Sequence, residues 1–391
     1  MKDTFVVDAL RTPFGSFLGA LSQVPAPALA ASAITALLER AKAPREAIDE
    51  VILGQVLQGG AGQSPARQAS RGAGLPDSVH ALTINKVCGS GLKALMLASD
   101  SIALGESALA VAGGMESMSL APYFLAKARA GLRMGKAEIQ DLMVFDGLTD
   151  PYTGRHMGEI ADASAKLHGI GREAQDGFAR RSYERAQKAQ TEGIFAAEIA
   201  PYVIKGRKGD ETVDRDEEPF KVDFARLPTL RPVFTADGTI TAANASSIAD
   251  GAAVVLLASA EALKSHNLSA RARIVARATE SRHPDDFPGA PVGAIQKACK
   301  KAGLAINDID LFEINEAFAS VALLAIKELG LDPERVNVNG GACALGHPIG
   351  ASGGRLAGAL VHELGRRKAR YGLATLCIGG GEAVAVIFER L

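Results

Sequence analysis

Apolar positions along this chain follow two alternating patterns. Short apolar runs bounded by turn residues recur at residues 5–10, 51–54, 81–85, 252–257 and 372–376, and read as strands. Between them, apolar residues take helical spacing. Leu29, Ile34, Leu37 and Leu38 mark one helix, and Leu356, Ala357, Leu360 and Val361 another. Residues 92–104 are apolar nearly all round, broken only by Lys93, Ser99, Asp100 and Ser101. A helix of that kind belongs inside. Strands alternating with helices predict an α/β fold, its sheets covered on both faces. The buried helix predicts two such sheets stacked around shared central helices.

The pattern repeats. Ala47-Ile48-Asp49-Glu50-Val51-Ile52 resembles Asn307-Asp308-Ile309-Asp310-Leu311-Phe312, and the interval from Ile34 to Asp49 equals that from Ile295 to Asp310. Phe5-Val6-Val7-Asp8-Ala9 corresponds to Ala272-Arg273-Ile274-Val275-Ala276-Arg277. Gly113-Gly114-Met115-Glu116-Ser117 corresponds to Gly379-Gly380-Gly381-Glu382-Ala383. Matches in one order predict two copies of one α/β unit. A polar, charged stretch interrupts the first copy. The expected organisation is a first half over 1–118 and 249–268, an inserted loop domain over 119–248, and a second half over 269–391. Within the insert, Lys205 to Asp210 and Asp214 to Glu218 read as a solvated hairpin and loop. Residues 169–190 read as a helix pair with Arg180, Arg181 and Arg185 on exposed turns.

A formal net charge of −1 argues against a nucleic-acid binder. No apolar run reaches the length of a membrane span. The four cysteines, at 88, 299, 343 and 377, form no Cys-x-x-Cys pair and no disulfide framework, so neither zinc nor secretion is supported. A cytoplasmic protein is expected.

Three stretches carry candidate chemistry. Asn85-Lys86-Val87-Cys88-Gly89-Ser90-Gly91 places a thiol between a strand and a helix start, where the helix end is expected to lower its pKa. Gly346-His347-Pro348-Ile349-Gly350-Ala351-Ser352-Gly353 holds a histidine in a loop stripped of bulky side chains; its imidazole can take a thiol proton. Cys377-Ile378-Gly379-Gly380-Gly381 sets a second thiol beside bare backbone N–H groups able to face an oxyanion. Cys299 reads as packing, and Cys343 has no obvious partner. His80, His168, His266, His283 and His362 read as structural. Asn315 reads either as a helix N-cap or as an amide holding a water.

Together with Asn244-Ala245-Ser246 and Asn315-Glu316-Ala317-Phe318, these motifs resemble the thiolase family, in family order and over the whole chain. Arg155-His156-Met157-Gly158, after Asp146-Gly147-Leu148-Thr149-Asp150, is similar to the loop of the family's acetoacetyl-CoA branch. The resemblance implies an αβαβα layered core and an acetyl-CoA C-acetyltransferase. That enzyme joins two acetyl-CoA into acetoacetyl-CoA and CoA through an acyl thioester on Cys88. It implies His347 as the activator of Cys88 and Cys377 as the acid–base group. Asn315 and the N–H groups of Cys88 and Gly379 would supply oxyanion sites. CoA would run along Leu148, His156, Met157, Ser246, Ala317 and Phe318, with Lys221 near its phosphate. No metal or organic cofactor is implied, and a homodimer or homotetramer is. The alternatives are a broader-chain 3-ketoacyl-CoA thiolase and a non-catalytic acyl-CoA carrier. Three positions depart from the family: Cys343 replaces a branched aliphatic residue, Glu382-Ala383 replaces Met-Gly, and Phe287-Pro288-Gly289 replaces a segment beginning Met-Gly.

Overall fold

The computed structural model describes residues 2–207 and 209–391. The main strands are β1 (Phe5–Arg11), β2 (Glu50–Gly54), β3 (His80–Ile84), β4 (Leu109–Ser117), β5 (Ala249–Ala258), β6 (Ala272–Ser281), β7 (Leu311–Ile314), β8 (Tyr371–Ile378) and β9 (Glu382–Arg390). The main helices are α1 (Ala26–Ala41), α2 (Ser90–Leu104), α3 (Met157–Leu167), α4 (Arg172–Thr191), α5 (Ala290–Ala302), α6 (Ala319–Leu329) and α7 (Ser352–Arg367).

The strands hydrogen-bond in the order β7-β8-β9-β6-β1-β5-β4-β2-β3. This order contains the expected duplication. From β1 the pairing runs antiparallel to β5, antiparallel to β4, then parallel to β2. From β6 it runs antiparallel to β9, antiparallel to β8, then parallel to β7. The register slips between Val6 and Asp8 in one copy and between Ile274 and Ala276 in the other. The bulged residues, Val7 and Val275, occupy matched places.

The expected pair of separate sheets is corrected in one respect. Phe5 pairs with Arg273 and Val6 with Ala272, so the two half-sheets share one hydrogen-bonded network. The layers are nevertheless those expected. Leu92, Leu95 and Ile102 of α2 and Leu356 and Leu360 of α7 pack in one cluster with Val255 of the first half and Leu376 and Val386 of the second. Leu29, Ile34 and Leu37 of α1 cover the outer face of the first half. Ile295 of α5 and Ala322 of α6 cover that of the second. The architecture is αβαβα. The stretch 87–104 does reach the length and apolarity of a membrane span, at 18 residues and mean hydropathy 1.3. The fold uses it as a central helix instead, with Leu92, Leu95 and Ile102 fully buried.

The first turns of α2 and α7 interlock. A Cβ on Gly91 would stand 2.8 Å from the Gly350 oxygen and 2.9 Å from the Gly354 nitrogen. One on Gly353 would overlap the backbone nitrogen of Leu92. Both positions need glycine for close approach.

Residues 118–248 join β4 to β5, where the second copy joins β8 to β9 through residues 379–381 alone. The expected helix pair is the single helix α4. Arg185 does not sit on an exposed turn: it donates to the Val336 carbonyl at 2.7 Å and pairs with Glu334. The expected hairpin forms, Tyr202–Ile204 against Glu211–Val213. The acidic run after it is solvated only in part: Asp214 and Arg215 are exposed, while Glu217 and Glu218 are half-buried. Asp216 is buried and takes a bidentate bond from Arg11 at 2.6 and 2.8 Å. Arg11 also donates to Glu198 at 2.7 Å, and its guanidinium lies over the rings of Phe14 and Phe195. Burial opposes the Arg11 charge, but Asp216 and Glu198 overcome it and hold the guanidinium more firmly protonated than usual. Glu217 accepts from the Ser16 N–H at 2.8 Å. The run is a clasp that fastens the insert to the first half.

Removing one partner of a buried ion pair strands the other charge. Asp216→Ala should therefore cost about 3–5 kcal/mol in urea unfolding. A loss under about 1 kcal/mol, the range of an exposed pair, would show that the clasp is not structural.

Candidate active site

Cys88 is raised into place by a strained turn between β3 and α2. Val87 sits at φ 46°, a left-handed conformation that β-branched residues avoid. Its neighbours hold it there. The Val87 N–H donates to the Asn85 side chain at 2.9 Å. Ser90 Oγ accepts from the Lys86 N–H at 2.8 Å and donates to the Val87 carbonyl at 2.7 Å. The residue is partly accessible, yet its sulfur lies deep enough for desolvation to dominate. The expected lowering of its pKa is corrected. Burial pushes the thiol up to about 11, against the pull of the Gly379 N–H. The end of α2 does not make a standing thiolate, so a base is required.

His347 is the candidate for that base. Its Nδ1 lies 2.5 Å from Ser352 Oγ, and Ser352 spends its own proton on the Pro348 carbonyl at 2.9 Å. Oγ must then accept from Nδ1–H, which leaves Nε2 unprotonated. Burial, with Arg355 nearby, lowers His347 to about 3, so the ring is neutral. Glu116 pins the loop. Its carboxylate takes the N–H groups of Gly350 at 2.9 Å, Val56 at 3.0 Å and Leu57 at 3.1 Å. Burial, despite those donors, pushes Glu116 up to about 7. Sequence reasoning missed Glu116 and Ser352. Glu116 appeared only as part of the repeat, and Ser352 lay unremarked within the His347 motif.

Asn315 is not the helix cap. α6 begins at Ala319 with Phe318 as its cap, and Asn315 lies in the loop before it. Its Nδ2 stands 3.4 Å from His347 Nε2. Its Oδ1 is buried with no partner among the described residues. A buried carbonyl left so is poised to bind a water or a ligand.

Cys377 lies in β8 and is buried, packed with Phe287, Ala317, Phe318, Met157 and Phe234. Burial first, and the nearby Cys88 second, raise its thiol well above the ordinary value. Gly379 stands beside both, its N–H toward Cys88. Met157 Sδ lies 3.2 Å from where a Cβ on Gly379 would be.

A cavity of about 490 Å³ reaches His347; Cys88 and Cys377 do not line it, but Met118 and Ile349, which pack with Cys88, and Ala317 and Phe318, which pack with Cys377, do. His347, Leu148, His156, Ser246, Ala317, Phe318 and Lys221 line it, as does Phe234, which the sequence did not reveal. His156 caps α3, accepting from the Gly158 N–H at 3.0 Å, and stacks on Phe234 at 4.7 Å. Burial lowers its pKa. Lys221, at the mouth, bonds to Glu218 at 3.1 Å and to Ser16.

Cys343 is a core residue. Its thiol faces the Asn244 carbonyl at 3.5 Å, and its N–H donates to Glu316 at 3.1 Å. Glu316 also accepts from Ser182 at 2.7 Å and Asn337 at 2.8 Å, tying α4 to the loop that carries Asn315. Burial, then Glu316, raise the Cys343 thiol well above its ordinary value. Cys299 packs in the second half as expected.

Comparison with known proteins covers almost the whole chain. Residues 4–261 match the thiolase N-terminal domain model and residues 268–390 the thiolase C-terminal domain model. An acetyl-CoA acetyltransferase of Chromobacterium violaceum is 51% identical over 387 residues, 98% of this chain and 99% of that protein. The crystal structure of Bacillus anthracis acetyl-CoA acetyltransferase superposes with a TM-score of 0.97 at 41% identity, covering 100% of this chain and 99% of that one. The structure of human mitochondrial 3-ketoacyl-CoA thiolase gives 0.96, also at 41% identity and the same coverage.

With Cys88 pushed up to about 11 and His347 down to about 3, thiol and imidazole are both neutral across the range between. Thiolate increases as pH rises. Alkylation of Cys88 by iodoacetamide, followed by peptide mapping, should therefore climb through the alkaline range. A plateau already reached near neutrality would reveal a standing thiolate–imidazolium pair instead.

Proposed function

The chain belongs to the thiolase family, and from that premise we propose how it works as an acetyl-CoA acetyltransferase, joining two acetyl-CoA into acetoacetyl-CoA and CoA reversibly. The observation that carries the reading is the nearness of the Cys88 and Cys377 thiols to one another, with the neutral imidazole of His347 on a cavity whose wall residues Met118 and Ile349 also pack with Cys88.

His347 Nε2 takes the Cys88 proton as the sulfur attacks the thioester carbonyl. The carbonyl oxygen becomes an oxyanion beside the N–H groups of Cys88 and Gly379. Cys377 gives its proton to the departing CoA thiolate, leaving acetyl on Cys88 and a thiolate at Cys377. That thiolate removes the α proton of a second acetyl-CoA. The enolate oxygen rests against His347, now protonated, and a water on Asn315. The α carbon attacks the acetyl group, Cys88 leaves as thiolate, and His347 returns its proton. Every proton is then back where it began. The chemistry calls for no metal or organic cofactor, since CoA is substrate and the two thiols and imidazole supply each proton transfer.

Leu148, His156, Met157, Ser246, Ala317 and Phe318 would hold the pantetheine arm. Lys221 would meet a CoA phosphate only in competition with Glu218. Phe287, Phe318 and Phe234 crowd the space beside Cys377, which favours a short acyl group. The likeness to a 3-ketoacyl-CoA thiolase structure supports the broader-chain alternative. The same reading takes the protein to be cytoplasmic and a homodimer or homotetramer. Tyr123, Leu132, Met134, Ile139 and Phe145 stand exposed on the insert, an apolar surface of the kind that subunits cover.

Two measurements test this. Thiolysis by free CoA should fall steeply for 3-ketoacyl-CoA substrates longer than acetoacetyl-CoA; a flat or rising profile would favour the broader-chain enzyme. Cys377→Ala should still label Cys88 from acetyl-CoA but lose condensation by about 10²-fold or more. Unimpaired condensation in that variant would remove Cys377 from the mechanism.

A further inference from the structure

Glu382 opens β9, and the proton transfers above do not use its carboxylate. Its carboxylate meets the Lys86 ammonium at 2.5 Å, across 296 residues of chain. Its other oxygen accepts from Ser281 Oγ at 3.1 Å. Lys86 is two residues before Cys88, and Glu382 three after Gly379. The pair therefore ties the turn that presents the nucleophile to the turn that presents Gly379.

Each turn is otherwise held mainly from its own half. On one side, Val87 is kept at φ 46° by Asn85 and Ser90. On the other, the Gly381 carbonyl accepts from the Arg282 N–H at 2.7 Å, and Glu382 pairs with Ile378 at the start of β9. Between the turns, Gly89 lies against Ile378 so closely that a Cβ there would strike its Cδ1. That apolar contact stops the turns from closing further but does not stop them from parting. The Gly379 N–H to Cys88 is the other link, and the reaction needs it for the developing oxyanion. Lys86–Glu382 supplies the missing restraint.

We propose that Lys86 and Glu382 are positioning residues that fix the spacing between the Cys88 and Gly379 N–H groups. As a partly exposed pair this clamp contributes little to stability; its effect is on geometry, where a displacement of about 1 Å can cost about 10²-fold in rate. The inference rests on the thiolase reading of the site.

The test uses the full chain with Lys86→Met, Glu382→Gln and the exchanged pair Lys86→Glu with Glu382→Lys. Rates of acetoacetyl-CoA thiolysis and of single-turnover acetylation of Cys88 are measured, with thermal midpoints as a check on folding. Each single variant should lower kcat and the acetylation rate by about tenfold while KM changes less than about twofold. The exchanged pair should recover most of the loss. Single variants as fast as the parent would overturn the clamp while leaving the thiolase reading intact. Equal losses with no recovery in a folded exchanged pair would overturn it too, since Lys86 would then act other than through Glu382. An inactive parent protein would sink both readings.

Discussion

The structure depends on one close approach: the interlocked first turns of α2 and α7. Gly91 and Gly353 let the two backbones come within a distance that excludes any side chain. Because the halves are copies, the same structural corner of each is brought to the same point. Cys88 precedes α2 and His347 precedes α7, so the approach that packs the core also brings the segments carrying these two residues together. The outer layers, the shared sheet and the insert then fix this crossing in place. Arg11 and Glu316 do so with buried hydrogen-bonded charges that reach from the insert into the first half and the second half respectively.

The electrostatics of the centre follow from its burial. At the Cys88 sulfur burial outweighs the backbone N–H groups, so no thiolate stands ready-made there. Thiol and imidazole are both neutral at rest; in the proposed mechanism charge appears only during reaction, when backbone N–H groups and the imidazolium can meet it. Arg355, bound to Glu313 at 2.7 Å in the interior, adds to the bias against a resting imidazolium. Burial pushes Glu313 up to about 8, so this ion pair is itself held in a costly place.

Much of this was legible in the sequence, for physical reasons. The thiols and histidine sit among residues that only tight backbone packing demands, so their motifs stood out. Two copies of one unit leave parallel spacings, and the bulges at Val7 and Val275 bear that out. What stayed hidden depended on distant partners. The run from Asp214 to Glu218 looks like a solvated loop until Arg11, 205 residues from Asp216, is brought against it. Asn315 looks like a cap until the helix is seen to start four residues later. Cys88 looks acidic by its place at a helix end, and only the enclosing walls reverse that. The continuity of the sheet rests on two residue pairs with no sequence signal of their own.

The central claim is that Cys88 carries the acyl group. Its most direct test is acid-quenched peptide mass spectrometry after incubation with acetyl-CoA. The account predicts the mass of one acetyl group on the peptide bearing Cys88, and its absence in Cys88→Ser. Acetyl found on Cys377 instead, or persisting in the folded Cys88→Ser protein, would contradict it.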